Sequence, residues 1–91
     1  MYKISYTVKF KKQRRLLKSR GYDIALLDEV VRLLATGAAL PAKYCDHALQ
    51  GKWKGYRDCH IFPDWILIYK IDKGILTLLL SATGSHADLF R

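Results

Sequence analysis

Three histidines, His47, His60 and His86, all fall in the C-terminal half of the chain. An imidazole with its ordinary pKa of about 6.5 can take or give a proton at neutral pH. Cutting RNA without a metal requires a base for the ribose 2′-OH, an acid for the departing 5′-oxygen and positive charge beside the crowded phosphate. Two or three histidines with Lys52, Lys54 and Arg57 near them in sequence meet that requirement. The same histidines read equally as surface or hydrogen-bonded side chains without chemistry. Asp64, after Pro63, could orient a histidine or position a ribose hydroxyl, or it could be ordinary turn chemistry. Trp53, Tyr56 and Trp65 are base-stacking candidates that serve as well for core packing. Phe90 either pins the tail to the core or stacks on a base.

A metal centre is not expected. Cys45, His47, Cys59 and His60 form C-x-H…C-H, which departs from the C-x₂₋₄-C and H-x₃₋₅-H spacing of zinc sites. Adjacent Cys59 and His60 on a strand would also point to opposite faces. Neither cysteine has a local motif for nucleophilic catalysis, and no cofactor is implied. The carboxylate cluster that hard cations prefer is lacking too, which argues against a stand-alone metal-dependent nuclease.

The elements that must position these residues are legible. Tyr2, Ile4, Tyr6 and Val8 alternate with Lys3, Ser5, Thr7 and Lys9, the period-2 pattern of a half-buried strand. Thr7 is placed to N-cap a helix running to about Arg20, with Gly21 as its stop; Phe10, Leu17 and Leu16 mark its apolar side. Asp23 is placed to cap a second helix, with Ile24, Leu27, Val31 and Leu34 at helical spacing and an end at Gly37. GAALPAKY is a loop in which Pro41 blocks helical continuation. Four short apolar stretches follow, separated by Gly51, Gly55, Pro63-Asp64 and Asp72-Lys73-Gly74, the last a hairpin signal. WILIYKI and ILTLLLSA are almost continuously apolar, so both faces of these strands should be covered, one of them by the helices. Ser85 can cap a final turn. The order β-α-α-β-β-β with a terminal turn is an α+β fold: a two-helix hairpin on a mostly antiparallel sheet of four to five strands, in one domain spanning 1–91.

Composition narrows the classes. The chain of 91 residues is 51% hydrophobic, enough for one modest core and too apolar for a disordered chain. No apolar run approaches the roughly 20 residues of a membrane span. The N-terminal stretch has no signal-peptide-like block and the two cysteines are too few for a disulfide scaffold, so a cytoplasmic location is expected. The formal charge is +8, and residues 1–20 hold eight of the sixteen basic side chains and no acid. Such a cluster suits a polyanion through counterion release, an acidic protein partner, or simply solvation.

The stretch DHALQGKWKGYRDCHIFPDWILIYK, residues 46–70, and the tail GSHADLF, residues 84–90, together resemble the YafQ-type toxins of the RelE-like superfamily. The shared pattern is Asp-His, Leu-x-Gly-x-Trp-Lys, Arg-Asp-x-His, Pro-Asp, a strand ending in Tyr-Lys, and Gly-x-His near the C-terminus. The first forty-odd residues resemble the family in layout only. The resemblance implies a type II toxin–antitoxin ribonuclease that cleaves mRNA in the ribosomal A site, by 2′-OH attack giving a 2′,3′-cyclic phosphate and a 5′-hydroxyl. It implies His47 as general base, His86 as general acid, His60 and Asp64 as groups that position RNA and support proton transfer, and Phe90 as an aromatic against the substrate base. Lys52, Lys54 and Arg57 would supply charge for phosphates. Lys11, Lys12, Arg14, Arg15 and Lys18 would dock on ribosomal RNA. The resemblance further implies an acidic, partly disordered antitoxin of the RelB/DinJ kind in a 2:2 complex, with operator DNA contacted only through it. The competing expectation is a non-catalytic ribosome- or antitoxin-binding protein of the same fold.

Overall fold

In the computed structural model, which describes residues 1–90, the alternating Lys3–Tyr6 segment forms strand β1. Thr7 then turns the chain into helix α1, Val8–Ser19: its hydroxyl accepts the Phe10 N–H at 2.9 Å, a cap that stabilises by about 0.5–2 kcal/mol. Gly21 leaves the helix with φ 87°, the left-handed geometry that suits glycine. Helix α2, Ile24–Ala35, starts at Asp23, whose carboxylate accepts the Ala25 N–H at 3.2 Å. It buries Ile24, Leu27, Val30, Val31, Leu34 and Ala35.

The remaining chain supplies strands β2 (His47–Ala48), β3 (Arg57–Phe62), β4 (Trp65–Asp72) and β5 (Thr77–Gly84), then the short helix α3 (His86–Leu89). Two 3₁₀ turns, Ala42–Tyr44 and Gly51–Trp53, flank β2. The sheet order is β1-β5-β4-β3-β2, with β1 parallel to β5 and the other pairings antiparallel. The expected α+β layout is present, with one strand more than the β-α-α-β-β-β reading: the two-residue β2. The Asp72 turn forms, its carboxylate accepting the Gly74 and Ile75 N–H groups. Ile75 and Leu76, expected inside the last strand, instead sit exposed in a four-residue loop where Leu76 has φ 51°.

The sheet has two unlike faces. On one, both helices pack over Cys59, Ile61, Trp65, Leu67, Tyr69, Leu78 and Leu80; each fully buried large side chain there is worth about 1.5–3 kcal/mol. On the other, Ile66, Ile68, Ala82 and Leu89 form a small cluster roofed by partly buried Leu49, Trp53, Tyr56 and Phe90. This explains the continuous burial of Trp65 through Tyr69.

One irregularity decides what the thin face carries. Between Ile68 and Tyr69 the register to β5 shifts: Tyr69 opposes Leu80, but Ile68 opposes Ala82. The extra residue, Ser81, moves Ala82 and Gly84 onto the thin face, where uninterrupted alternation from Leu78 and Leu80 would have put them under the helices. Thr7 pins the bulge, its hydroxyl donating to the Ser81 carbonyl at 2.7 Å and its N–H to the Leu80 carbonyl at 3.1 Å.

Candidate active site

The three histidines come from three elements and meet on the thin face. His47 is on β2 opposite Asp58 of β3. His60 lies two residues further along β3, opposite Ile66. His86 opens α3, whose start is held by a reciprocal cap: Ser85 Oγ accepts the Asp88 N–H while the Asp88 carboxylate accepts the Ser85 N–H. Ring centroids are 6.4 Å apart for His47 and His60, 5.9 Å for His60 and His86, and 5.2 Å for His86 and Phe90. Phe90 pins the tail by joining the small cluster, and it sets its ring against His86. Asp64 Oδ1 accepts the backbone N–H of His86 at 3.2 Å, which ties the β3–β4 turn to the helix that presents the imidazole.

Asp58 lies under this row, only 2% exposed. Burial raises its pKa above the ordinary carboxylate value, opposed by His47, His60 and His86 and reinforced by Asp46. His47 Nε2 stands 3.0 Å from Asp58 Oδ1, although that oxygen has no well-directed hydrogen bond. His47 Nδ1 is 2.8 Å from the Cys45 carbonyl, aimed by the left-handed conformation of Cys45, φ 50°. The sequence reading did not single out Asp58. The alternation of β3 would have flagged it, since the position two residues before His60 shares its face.

The cations divide. Lys52 and Lys54 are exposed on either side of Trp53, which packs into the thin face. Arg57 is not with the histidines. It opposes Tyr69 on the helix-covered face and bonds Asp46 Oδ1 at 3.3 Å, the same oxygen that accepts the Tyr69 hydroxyl at 2.6 Å. Strand alternation separates it from Asp58 and His60. Lys70, unmarked in the sequence reading, lies on the histidine side of β4, with its ammonium 5.5 Å from the Tyr56 ring centre. Trp65 is core: it is 2% exposed and its indole N–H donates to Thr83 Oγ1 at 3.0 Å. Cys59 is buried among the helix-side residues, where desolvation pushes its thiol pKa far up. Among the described residues no group of three or more His, Cys, Asp or Glu is arranged to hold a metal ion.

The five basic residues of α1 expected to dock on RNA do not form one surface. Lys11, Arg14, Arg15 and Lys18, spaced i, i+3, i+4 and i+7, line a groove of about 970 Å³ between α1, α2 and β1. Its apolar walls include Ile4, Tyr6, Phe10 and Val31. Arg14 is already paired with Asp28 of α2 at 2.9 Å, and Lys12 lies outside the groove.

A strand, two helices and a four-strand run carrying a row of imidazoles beside a C-terminal aromatic define a RelE-like toxin fold. The family model described as the bacterial toxin of type II toxin–antitoxin systems, YafQ, matches residues 2–91; the chain belongs to that family. The mRNA interferase toxin YafQ of Escherichia coli K12 is 46% identical over 88 residues, 96% of this chain and 94% of that one. The solved E. coli DinJ–YafQ complex contains a chain 43% identical, with TM-score 0.92 and full coverage of both chains. A metal-bound toxin from Helicobacter pylori is 44% identical with TM-score 0.93, covering 99% of this chain and 100% of the other.

Proposed function

We propose that this protein is a ribosome-dependent mRNA endoribonuclease toxin, held in check by an acidic antitoxin. The observation that carries the reading is the convergence of His47, His60 and His86 on one sheet face, with centroids 5.9 to 6.4 Å apart and Phe90 at the end of the row. Three imidazoles at that spacing can straddle a ribose–phosphate linkage, one taking the 2′-OH proton as the oxygen attacks phosphorus, another protonating the departing 5′-oxygen. Phe90 offers a ring edge for a base, and Lys52, Lys54 and Lys70 line the same face as phosphate partners. The chemistry needs no metal and no cofactor.

Two curated relatives are named mRNA interferase toxin YafQ, and two solved relatives are DinJ–YafQ complexes. We extend both to this chain: the substrate is mRNA in the ribosomal A site and the partner is an antitoxin of the DinJ kind in a 2:2 assembly, through which alone operator DNA is contacted. The groove on the helix side, apolar on its walls and cationic on its rim, suits an acidic amphipathic segment of such an antitoxin, and its lysines and arginines suit ribosomal RNA when that segment is absent. No helix of the described residues is long and apolar enough to cross a membrane, in keeping with a cytoplasmic site of action.

The test is primer extension on a reporter mRNA with and without translating ribosomes. Cleavage only with ribosomes, unchanged by chelator and reduced about 10²- to 10⁴-fold in His86→Ala, is the expected result. Chelator-sensitive cleavage would make the reaction metal-dependent. Intact ribosome binding without cleavage would leave a docking protein.

A further inference from the structure

His47 has little of its own to hold it. It sits on β2, a two-residue strand at the edge of the sheet, and both residues of that strand are exposed. An edge so short, with no buried side chain, belongs to the part of a fold that opens most readily. What fixes it lies on the opposite face. Asp46, the residue before His47, turns to the helix side. Its Oδ1 accepts the hydroxyl of Tyr69 at 2.6 Å and the Nε–H of Arg57 at 3.3 Å. Tyr69 is 1% exposed and belongs to β4, the central strand, so the edge is tied to the best-buried part of the sheet. Burial, and then the bond to Asp46, push the phenol pKa up and keep the hydroxyl a donor. Neighbouring residues of an extended segment point to opposite faces. Drawing the Asp46 side chain to the helix side therefore turns His47 to the thin face. The same anchor governs the ring: His47 Nδ1 is 2.8 Å from the Cys45 carbonyl, and that carbonyl belongs to the peptide group joining Cys45 to Asp46. Asp46 thus fixes both the backbone that carries the imidazole and the oxygen to which the ring turns.

We infer that Asp46, Tyr69 and Arg57 form a clamp on the helix side that positions His47 for RNA cleavage, with Asp46 as the positioning residue and the other two as its anchors. This rests on the ribonuclease reading above and deepens it. None of the three lies on the histidine face, and each acts through His47. Arg57, expected to meet a phosphate, contributes from the far side instead. A misplacement of about 1 Å in a reacting group can cost on the order of 10²-fold in rate. Three residues remote from the scissile linkage can therefore control its cleavage.

Ring spectra of the full ¹⁵N-labelled chain test the clamp without reference to activity. Tyr69→Phe keeps the buried ring and removes only the donor, and Arg57→Gln withdraws the charged anchor. In both, the His47 ring resonances should shift while those of His86, at the other end of the row, stay. His47 resonances unmoved in both variants, or moved together with those of His86, would overturn the clamp. Single-turnover cleavage on programmed ribosomes tests its consequence. Asp46→Ala should lower the rate about 10²-fold with ribosome affinity unchanged. Asp46→Asn, whose amide oxygen still accepts the Tyr69 hydroxyl, should recover most of that loss. A folded Asp46→Ala protein that cleaves at the parental rate overturns the proposal, as does a loss confined to ribosome binding. Should the unmutated chain show no cleavage with ribosomes, the ribonuclease reading falls while the spectra still decide whether the clamp holds His47.

Discussion

The two faces of the sheet are built to different standards. The helix side is a conventional core: α1 and α2 cover a continuous apolar floor, and its polar groups are internally matched, as Trp65 with Thr83 and Tyr69 with Asp46. The other side is covered by four buried residues and a loose roof, and among them lies a buried carboxyl group whose one close charged neighbour is an exposed imidazole. Stability is concentrated away from the proposed site, and the face that gives up packing gains a row of exposed titratable groups. Removing atoms from the first face should therefore cost folding, and from the second, activity.

The strongest way to break that contrast is Leu27→Ala. Leu27 is fully buried under the sheet, and its truncation should cost about 2–5 kcal/mol. For a domain of this size the melting temperature should drop by at least about 8 °C, with cleavage per folded molecule unchanged. A comparable loss of activity in molecules shown to be folded would mean the faces are not separable.

Thr7→Ala probes a residue that joins them. Loss of the helix cap should cost about 0.5–2 kcal/mol in denaturant titration. Because the same hydroxyl holds the Ser81 bulge that sets the face of Gly84 and hence the entry to His86, cleavage should fall as well. Capping loss with full activity would show that the bulge holds itself.

Charge reversal of Lys11, Arg15 and Lys18 along the groove should weaken ribosome association and flatten its salt dependence by about one unit of slope for each phosphate no longer neutralised. Lys12→Glu, outside the groove, should do less. Equal effects at all four positions would mean a diffuse field rather than a built surface.

The smallest effect is in the pH dependence of stability. Asp58 binds its proton more tightly folded than unfolded. It therefore favours the folded state most at low pH, and that contribution is lost as pH rises from the ordinary carboxylate value of 3.8 toward the raised folded value. The stability difference between Asp58→Asn and the unmutated chain, followed by denaturant titration across that range, should shift in favour of the variant as pH rises. A flat difference would mean that Asp58 ionises in the fold as freely as in the unfolded chain.

Much of this was legible beforehand. The helix caps at Thr7 and Asp23, the stops at Gly21 and Gly37 and the apolar strands follow from local chemistry: a hydroxyl or carboxylate before an apolar stripe, a glycine after it. The split of Cys59 from His60 follows from strand alternation alone. Arg57 fails by that same rule, because nearness to His60 in sequence was read as nearness in space. Asp58, two residues before His60, shares its face by that same alternation.

Sequence by itself determined the element types, the family and the residue kinds available for proton transfer, since each depends on neighbours a few residues apart or on a motif read directly. Tertiary structure alone decided which residues of different strands share a face. The Ser81 bulge, the pairing of β1 with β5 and the 3.0 Å approach of His47 to Asp58 each join segments distant in the chain. A shift of one residue in strand register sends a side chain to the opposite face, and no local pattern encodes it.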